Sequence, residues 1–247
     1  MKILFSPSEA KSDLKDSSAL NKKSLCFPDI FEKRLFVIDK LTKYLSNSNL
    51  NNLQKLFGIK NEEECIKIKD INLLKSETCK AIQRYTGVAY QYLNFDTLKE
   101  NEKKWLYKNT IIFSNLFGPL LANDTIPYYK FKQAESINDF KPEQFYKENF
   151  SSEIDNYIGT DLVIDLRAGF YEKFYKINSP YITMKFIKNG KVVSHWAKAY
   201  RGKVLRKLAQ VQPNNIEEFE NINFEGLHVE EILVKKLKRE YIFSIES

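Results

Sequence analysis

The stretch Ser6-Pro7-Ser8-Glu9-Ala10-Lys11 brings a hydroxyl, a carboxylate and an ammonium close together. It follows Ile3-Leu4-Phe5, a short apolar run that reads as a buried first strand stopped by Ser6-Pro7. In α/β sheets, ligands commonly bind at the carboxyl ends of strands. Ser6, Glu9 and Lys11 are therefore candidates for contact with a ligand. The competing reading is a polar surface turn.

A second group lies far along the chain. On a helix of about 100° per residue, Ala197, Tyr200, Val204, Leu208 and Val211 share one side, with Leu205 beside them. Lys198, Lys203, Arg206 and Lys207 fall on the opposite side, and Arg201 falls inside the apolar arc. A guanidinium keeps its proton, so it needs a carboxylate, a set of carbonyls or a bound anion there. Two readings stay open: a salt bridge to Asp165 or Glu225, or a grip on a ligand phosphate or carboxylate. The four exposed cations form either a solvated face or a surface suited to phosphates.

A third group, residues 53–62, has the outline of a helix-hairpin-helix: a short helix, a turn at Gly58, a short helix. Such turns hold duplex backbone through amides and lysines without reading sequence. Lys55, Gly58 and Lys60 are the candidate contacts. Lys60 stands where a second glycine is usual. An ordinary glycine helix stop accounts for the same residues.

Other chemistry is thinly represented. The two histidines, His195 and His228, lack partners at metal-ligand spacing, so no metal site is expected. No carboxylate–histidine pair at helical spacing suggests iron storage. No phosphate loop, dinucleotide turn or nucleophile elbow occurs, and no cofactor is expected.

The elements that must position these groups follow from periodicity. Residues 29–45 carry apolar side chains at helical spacing, and residues 62–69 read as a short helix capped by Asn61. Residues 79–93 read as helix interrupted at Thr86-Gly87, and residues 101–107, 139–155 and 196–211 as further helices. Residues 110–113, 161–166 and 241–245 read as strands. Residues 181–187 and 191–194 flank Asn189-Gly190, a two-residue hairpin turn. Residues 229–239 fit helix or strand. Interleaved strands and helices with one tight hairpin predict an α/β fold with a mixed sheet packed by helices. No linker-like stretch or repeat divides the chain, so residues 1–247 read as one domain.

Composition narrows the class. The chain has 247 residues, 43% hydrophobic and 29% charged, which suits a folded globular protein. Its net charge is +7, with a pI of about 9.0, and attracts anions. Three cysteines with no CxxC point to a reducing compartment. No apolar run approaches transmembrane length. A cytoplasmic protein without a membrane partner is expected, and a monomer.

Taken in order, several blocks carry a resemblance. They are the first strand into Ser6-Pro7, Gly87-Val88-Ala89-Tyr90, Ser114-Asn115-Leu116-Phe117-Gly118-Pro119-Leu120, and Pro127-Tyr128. After them come Asp161-Leu162-Val163-Ile164-Asp165-Leu166, Ala197-Lys198 with Arg201-Gly202, and Asn223-Phe224-Glu225-Gly226. Nearly the whole chain resembles the bacterial peroxide-stress protein YaaA family. The resemblance implies a cytosolic protein linked to surviving peroxide and limiting free iron. It also implies a compact α/β domain with a basic cleft, a helix-hairpin-helix and binding to duplex or distorted DNA. By position the hairpin falls at residues 53–62, and the cleft includes Lys11, Lys198 and Arg201. Lys60, and Lys130 where arginine is expected, depart from the commoner pattern.

Two functions therefore compete. One is sequence-independent DNA binding through Lys11, Lys55, Gly58, Lys60, Lys198, Arg201, Lys203, Arg206 and Lys207. The other is an enzyme acting on a small anionic substrate, with Ser6, Glu9, Lys11, Lys198 and Arg201 as candidate catalytic groups. The second requires those groups to converge on one void.

Overall fold

The computed structural model describes residues 1–246, with the side chains of Ser194 and His195 outside the description. The chain opens with strand β1 (Lys2–Phe5), then helices α1 (Phe31–Asn47), α2 (Leu50–Phe57) and α3 (Glu62–Lys69). Next come β2 (Thr78–Lys80), α4 (Ala81–Arg84), α5 (Val88–Leu93), α6 (Glu100–Asn109), β3 (Thr110–Ser114), β4 (Gly118–Leu121) and β5 (Thr125–Pro127). The remainder is α7 (Pro142–Ile158), β6 (Val163–Asp165), β7 (Tyr181–Lys188), β8 (Lys191–Val192), α8 (Ser194–Val211), α9 (Ile216–Glu220), β9 (Leu227–Lys235) and β10 (Lys238–Ile245).

Eight strands form one mixed sheet in the order β4-β3-β1-β6-β7-β10-β9, with β8 on β7. β1 pairs in parallel with β3 on one side and β6 on the other. Ile3, Leu4, Val163 and Ile164 are fully buried, as strands covered on both faces require. Farther out, β10 buries every second residue, Tyr241, Phe243 and Ile245, so only one of its faces meets the core. Because the chain leaves β1 for β3 and returns on the far side as β6, the loops after β1 and β6 open apart. That is the switch point at which open α/β sheets form crevices.

The expected mixed α/β architecture is present. At Asn189-Gly190 both residues have positive φ, 51° and 71°, as the two-residue turn requires. Residues 229–239, ambiguous in sequence, form a β-hairpin between β9 and β10. One expectation is corrected, and two strands are added. Residues 79–80 belong to β2, which pairs with β5, so the helix at residues 79–93 begins at Ala81. β4 and β5 were not read from the sequence; at β4 the pair Gly118-Pro119 is of a kind that marks turns. Gly118 does take positive φ, 69°, but Arg34 secures the segment. That guanidinium is fully buried and donates to Phe117 O at 2.9 Å, Pro119 O at 2.6 Å and Cys26 O at 2.7 Å.

One close approach sets the site's geometry. At Gly202 in α8, an added Cβ would lie 2.0 Å from the Ala89 carbonyl oxygen of α5. Only glycine lets these two helices meet backbone to backbone.

Candidate functional site

The loops after β1 and β6, the start of α5 and one face of α8 enclose a cavity of about 300 Å³. That lies at the lower end of the range for small-molecule sites. Its walls are mainly apolar, including Phe5, Val88, Leu166 and Tyr171, and its polar groups include Ser6, Glu9, Lys198 and Arg201. Four of the five residues proposed to converge do so, from stretches about 190 residues apart in sequence.

Each is positioned by neighbours. Ser6 Oγ accepts the Ala168 amide at 2.7 Å, which ties the β1 loop to the β6 loop and leaves the hydroxyl proton to donate elsewhere. Tyr90 donates its hydroxyl to Ser6 O at 2.9 Å. Gly87 gives Ser8 room: a Cβ there would lie 2.2 Å from Ser8 Oγ. Glu9 accepts the Gln133 amide at 2.6 Å and so joins the rim to the segment after Tyr129. Gln133 and Tyr171 were not singled out from sequence. Gly87 and Tyr90 stood only in the Gly87-Val88-Ala89-Tyr90 block and at the Thr86-Gly87 break in the helical pattern, with no role assigned to them.

Arg201 carries the strongest electrostatic argument. It is half-buried, and burial lowers its pKa, opposed by the charges of Asp165 and Glu172. Asp165 is not its partner. That carboxylate takes both arms of Arg167, Nε at 2.8 Å and Nη2 at 2.8 Å, in a buried pair. Glu225 lines a separate groove. The salt bridge weighed for Arg201 is therefore absent, since among the described residues no carboxylate lies within 4.0 Å of its guanidinium. A desolvated cation without a carboxylate, facing a cavity, is arranged to receive an anion.

Lys11 does not line the cavity. Its ammonium donates to Ser8 O at 3.0 Å and sits 4.5 Å from the Tyr129 ring centre. Burial, with Lys130 and Arg84 nearby, lowers its pKa to about 7 against the pull of Glu9. It braces the β1 loop from behind. Beneath it, Tyr85, Tyr129 and Ser114 form a buried hydroxyl chain with links of 2.9 and 2.7 Å.

The remaining candidate cations are dispersed. Lys203, Arg206 and Lys207 line a second groove of about 370 Å³ with Tyr92, Phe224 and Glu225. The four-cation face expected on this helix is thus divided, with Lys198 on the first cavity and the rest on the second. Arg206 is also occupied, donating to Leu93 O at 2.8 Å and Asn94 O at 2.9 Å at the end of α5. Lys55 pairs with Glu135 at 3.7 Å.

Residues 50–69 do form two short helices about a left-handed Gly58, with Asn61 capping the second. Yet the amides of Gly58 and Ile59 both donate to Gln54 O, which takes the turn's donors away from a phosphate. The second helix opens with Glu62, Glu63 and Glu64, which repel one. Lys60 is exposed at the turn.

Fold and cavity together define a class: a mixed α/β protein with a cation-bearing crevice at the carboxyl ends of two adjacent parallel strands. The chain belongs to the peroxide stress protein YaaA family, whose model matches residues 1–233. The Campylobacter jejuni protein Cj0984 is 46% identical over 245 residues, 99% of each chain. The UPF0246 protein FN1762 of Fusobacterium nucleatum is 30% identical over 236 residues, 93% of each chain. A UPF0246 protein of Corynebacterium efficiens, CE1889, is 31% identical over 217 residues, 85% of each. Membership associates the chain with peroxide stress. Among the described residues no helix is long and apolar enough to cross a membrane, and no cluster of three metal-binding side chains occurs. The His195 side chain lies outside the described residues.

Proposed function

We propose that this protein acts in peroxide stress by binding DNA without regard to sequence, with one phosphate-bearing unit of a distorted strand seated in the crevice of Ser6, Lys198 and Arg201. The observation that carries the reading is Arg201: half-buried, with no carboxylate within 4.0 Å among the described residues, and facing the cavity. Arg201 and Lys198 would neutralise the phosphate, and the Ser6 hydroxyl would donate to it. The apolar walls suit the base or sugar of a nucleotide that has left its stack. An intact duplex is too wide for this cavity, so nicked, gapped or branched DNA is the favoured partner. Covering such sites would shield them from the peroxide and free-iron damage that the family resemblance implies.

The test is a salt series of binding to nicked, gapped and intact duplex DNA with wild type and Arg201→Gln. Preference for interrupted DNA, a steep salt slope, and a loss of about tenfold or more in the variant are expected. No binding to any of these at low salt rejects the reading.

A second reading is favoured by the convergence of Ser6, Glu9, Lys198 and Arg201 on one cavity: an enzyme taking a small phosphate- or carboxylate-bearing substrate. Arg201 would hold the anion, and Lys198 would stabilise developing charge. Saturable binding of a free mononucleotide or other small anion, lost in Arg201→Gln without any DNA binding, separates this from the first.

A further inference from the structure

The β9–β10 hairpin ends the sheet, and among the described residues β9 pairs with β10 alone. Every β9 residue after Leu227 is exposed, on both faces of the strand. Ile232, Leu233 and Val234 are consecutive and apolar, with Val234 67% exposed. An uncovered edge of this kind is a template for another strand. We infer that β9 pairs with β9 of a second copy of this chain, antiparallel and centred on Leu233, joining two sheets into one.

Backbone direction allows that centre. Lys235 and Lys238 flank the two-residue turn and face each other across the hairpin, so they form its closing hydrogen-bonded pair. Bonding alternates along an antiparallel ladder. Ile232 and Val234 therefore turn their N–H and C=O groups outward, and Leu233 turns its own toward β10. A copy related by a two-fold axis at Leu233 meets those outward groups in register. Ile232 of each chain then exchanges hydrogen bonds with Val234 of the other.

Side chains favour the same register. Leu233 meets Leu233, Ile232 meets Val234 twice, and Glu231 meets Lys235 twice. Two Ile–Val pairs cover one face of the joint, and the two Glu–Lys pairs flank the leucines on the other. Such cross-strand pairs are the units that stabilise sheets. Moving the centre one residue either way sets Lys235 against Val229 or against Leu233 and opposes Glu231 to an apolar residue. Charges that only blunt an edge need no such complement. The irregularity beyond Glu231, where the β10 register shifts between Ile242 and Phe243, limits the pairing to residues 231–235. The arrangement uses one edge per chain, so it closes at two copies.

Sedimentation equilibrium of the full chain over a concentration series tests it. A monomer–dimer equilibrium is expected. Glu231→Lys and Lys235→Glu each oppose like charges twice, and each should weaken the dimer by about tenfold or more. The double variant Glu231→Lys/Lys235→Glu restores both pairs and should recover most of the loss. All four side chains at the swapped pairs are exposed, and unchanged thermal unfolding checks that each variant folds. A monomer at every concentration, a dimer indifferent to the single swaps, or a double variant no stronger than the singles overturns the inference. Binding at the crevice is independent of this edge and should not change in the swaps.

Discussion

Replacing Gly202 by alanine tests how the crevice is built. In an ordinary helix interior this change stabilises by about 1 kcal/mol, through propensity alone. Here the new methyl would lie 2.0 Å from Ala89 O and 2.8 Å from Ala89 C, and must retreat by about 1.4 Å to reach ordinary contact near 3.4 Å. Both partners are backbone, so neither can rotate away. Overpacking of side chains costs about 1–3 kcal/mol, and a backbone clash lies at or above the upper end. The net expectation is a loss of about 2 kcal/mol. For a chain of this length that lowers the melting temperature by about 4–8 °C. α5 supplies Ala89 to the crevice and α8 supplies Arg201, so pushing them apart should weaken anion binding in the same variant. Thermal unfolding followed by circular dichroism, with a phosphate-ligand titration, measures both. Gln210→Ala, exposed on the same helix, should stay within about 0.5 kcal/mol of wild type. A Gly202→Ala protein that melts at or above the wild-type temperature would refute the close-packing account.

Other expectations follow from the buried charges. Arg167→Met strands the Asp165 carboxylate and should cost about 3–5 kcal/mol in urea unfolding, while adding Asp165→Asn should recover much of it. Lys11 is held near pKa 7 in the fold against 10.5 in the unfolded chain, so between those values the unfolded chain binds the extra proton. Stability from this residue should therefore be lowest below about pH 7 and rise with pH above it, by at most about 1.4 kcal/mol per pH unit. The difference in unfolding free energy between wild type and Lys11→Met, measured from pH 6 to about 9, should narrow or reverse accordingly; a flat difference would refute the assignment. Lys55→Ala and Lys60→Ala should leave the salt slope of DNA binding nearly unchanged, because Lys55 is paired and the turn beside Lys60 is acidic. A drop in slope comparable to that of Arg201→Gln would return the helix pair to the interface.

Much of the fold was legible because its signals are local. Ile3-Leu4-Phe5 and Leu162-Val163-Ile164 are continuous apolar runs, as strands buried on both faces need. Asn189-Gly190 can adopt two positive φ values cheaply. Asn61 and Gly58 mark where a helix starts and another stops. β4 was not legible, because Gly118-Pro119 is a turn signature until the distant, buried Arg34 binds the carbonyls of Phe117 and Pro119. The strand at residues 241–245 was legible from its alternation, but residues 229–239 were ambiguous because β9 is exposed on both faces and lacks the alternation that burial imposes.

For the site, residue types singled out Ser6, Glu9 and Lys11 after the first strand and Arg201, whose guanidinium in an apolar arc must have a partner, with Lys198 on the exposed face of the same helix; the fold brings all but Lys11 to one cavity. Which partner it lacks was decided by the fold: Asp165 lies two residues from Arg167 and is saturated by it, which leaves Arg201 to the cavity. The same helix turns Lys203 and Arg206 toward another groove, and the β1 loop folds back over Lys11. Side-chain chemistry is written in the order of residues. Whether two charges meet depends on distances across the sheet, and those arise only when β1 and β6 lie side by side and Gly202 lets α5 and α8 touch.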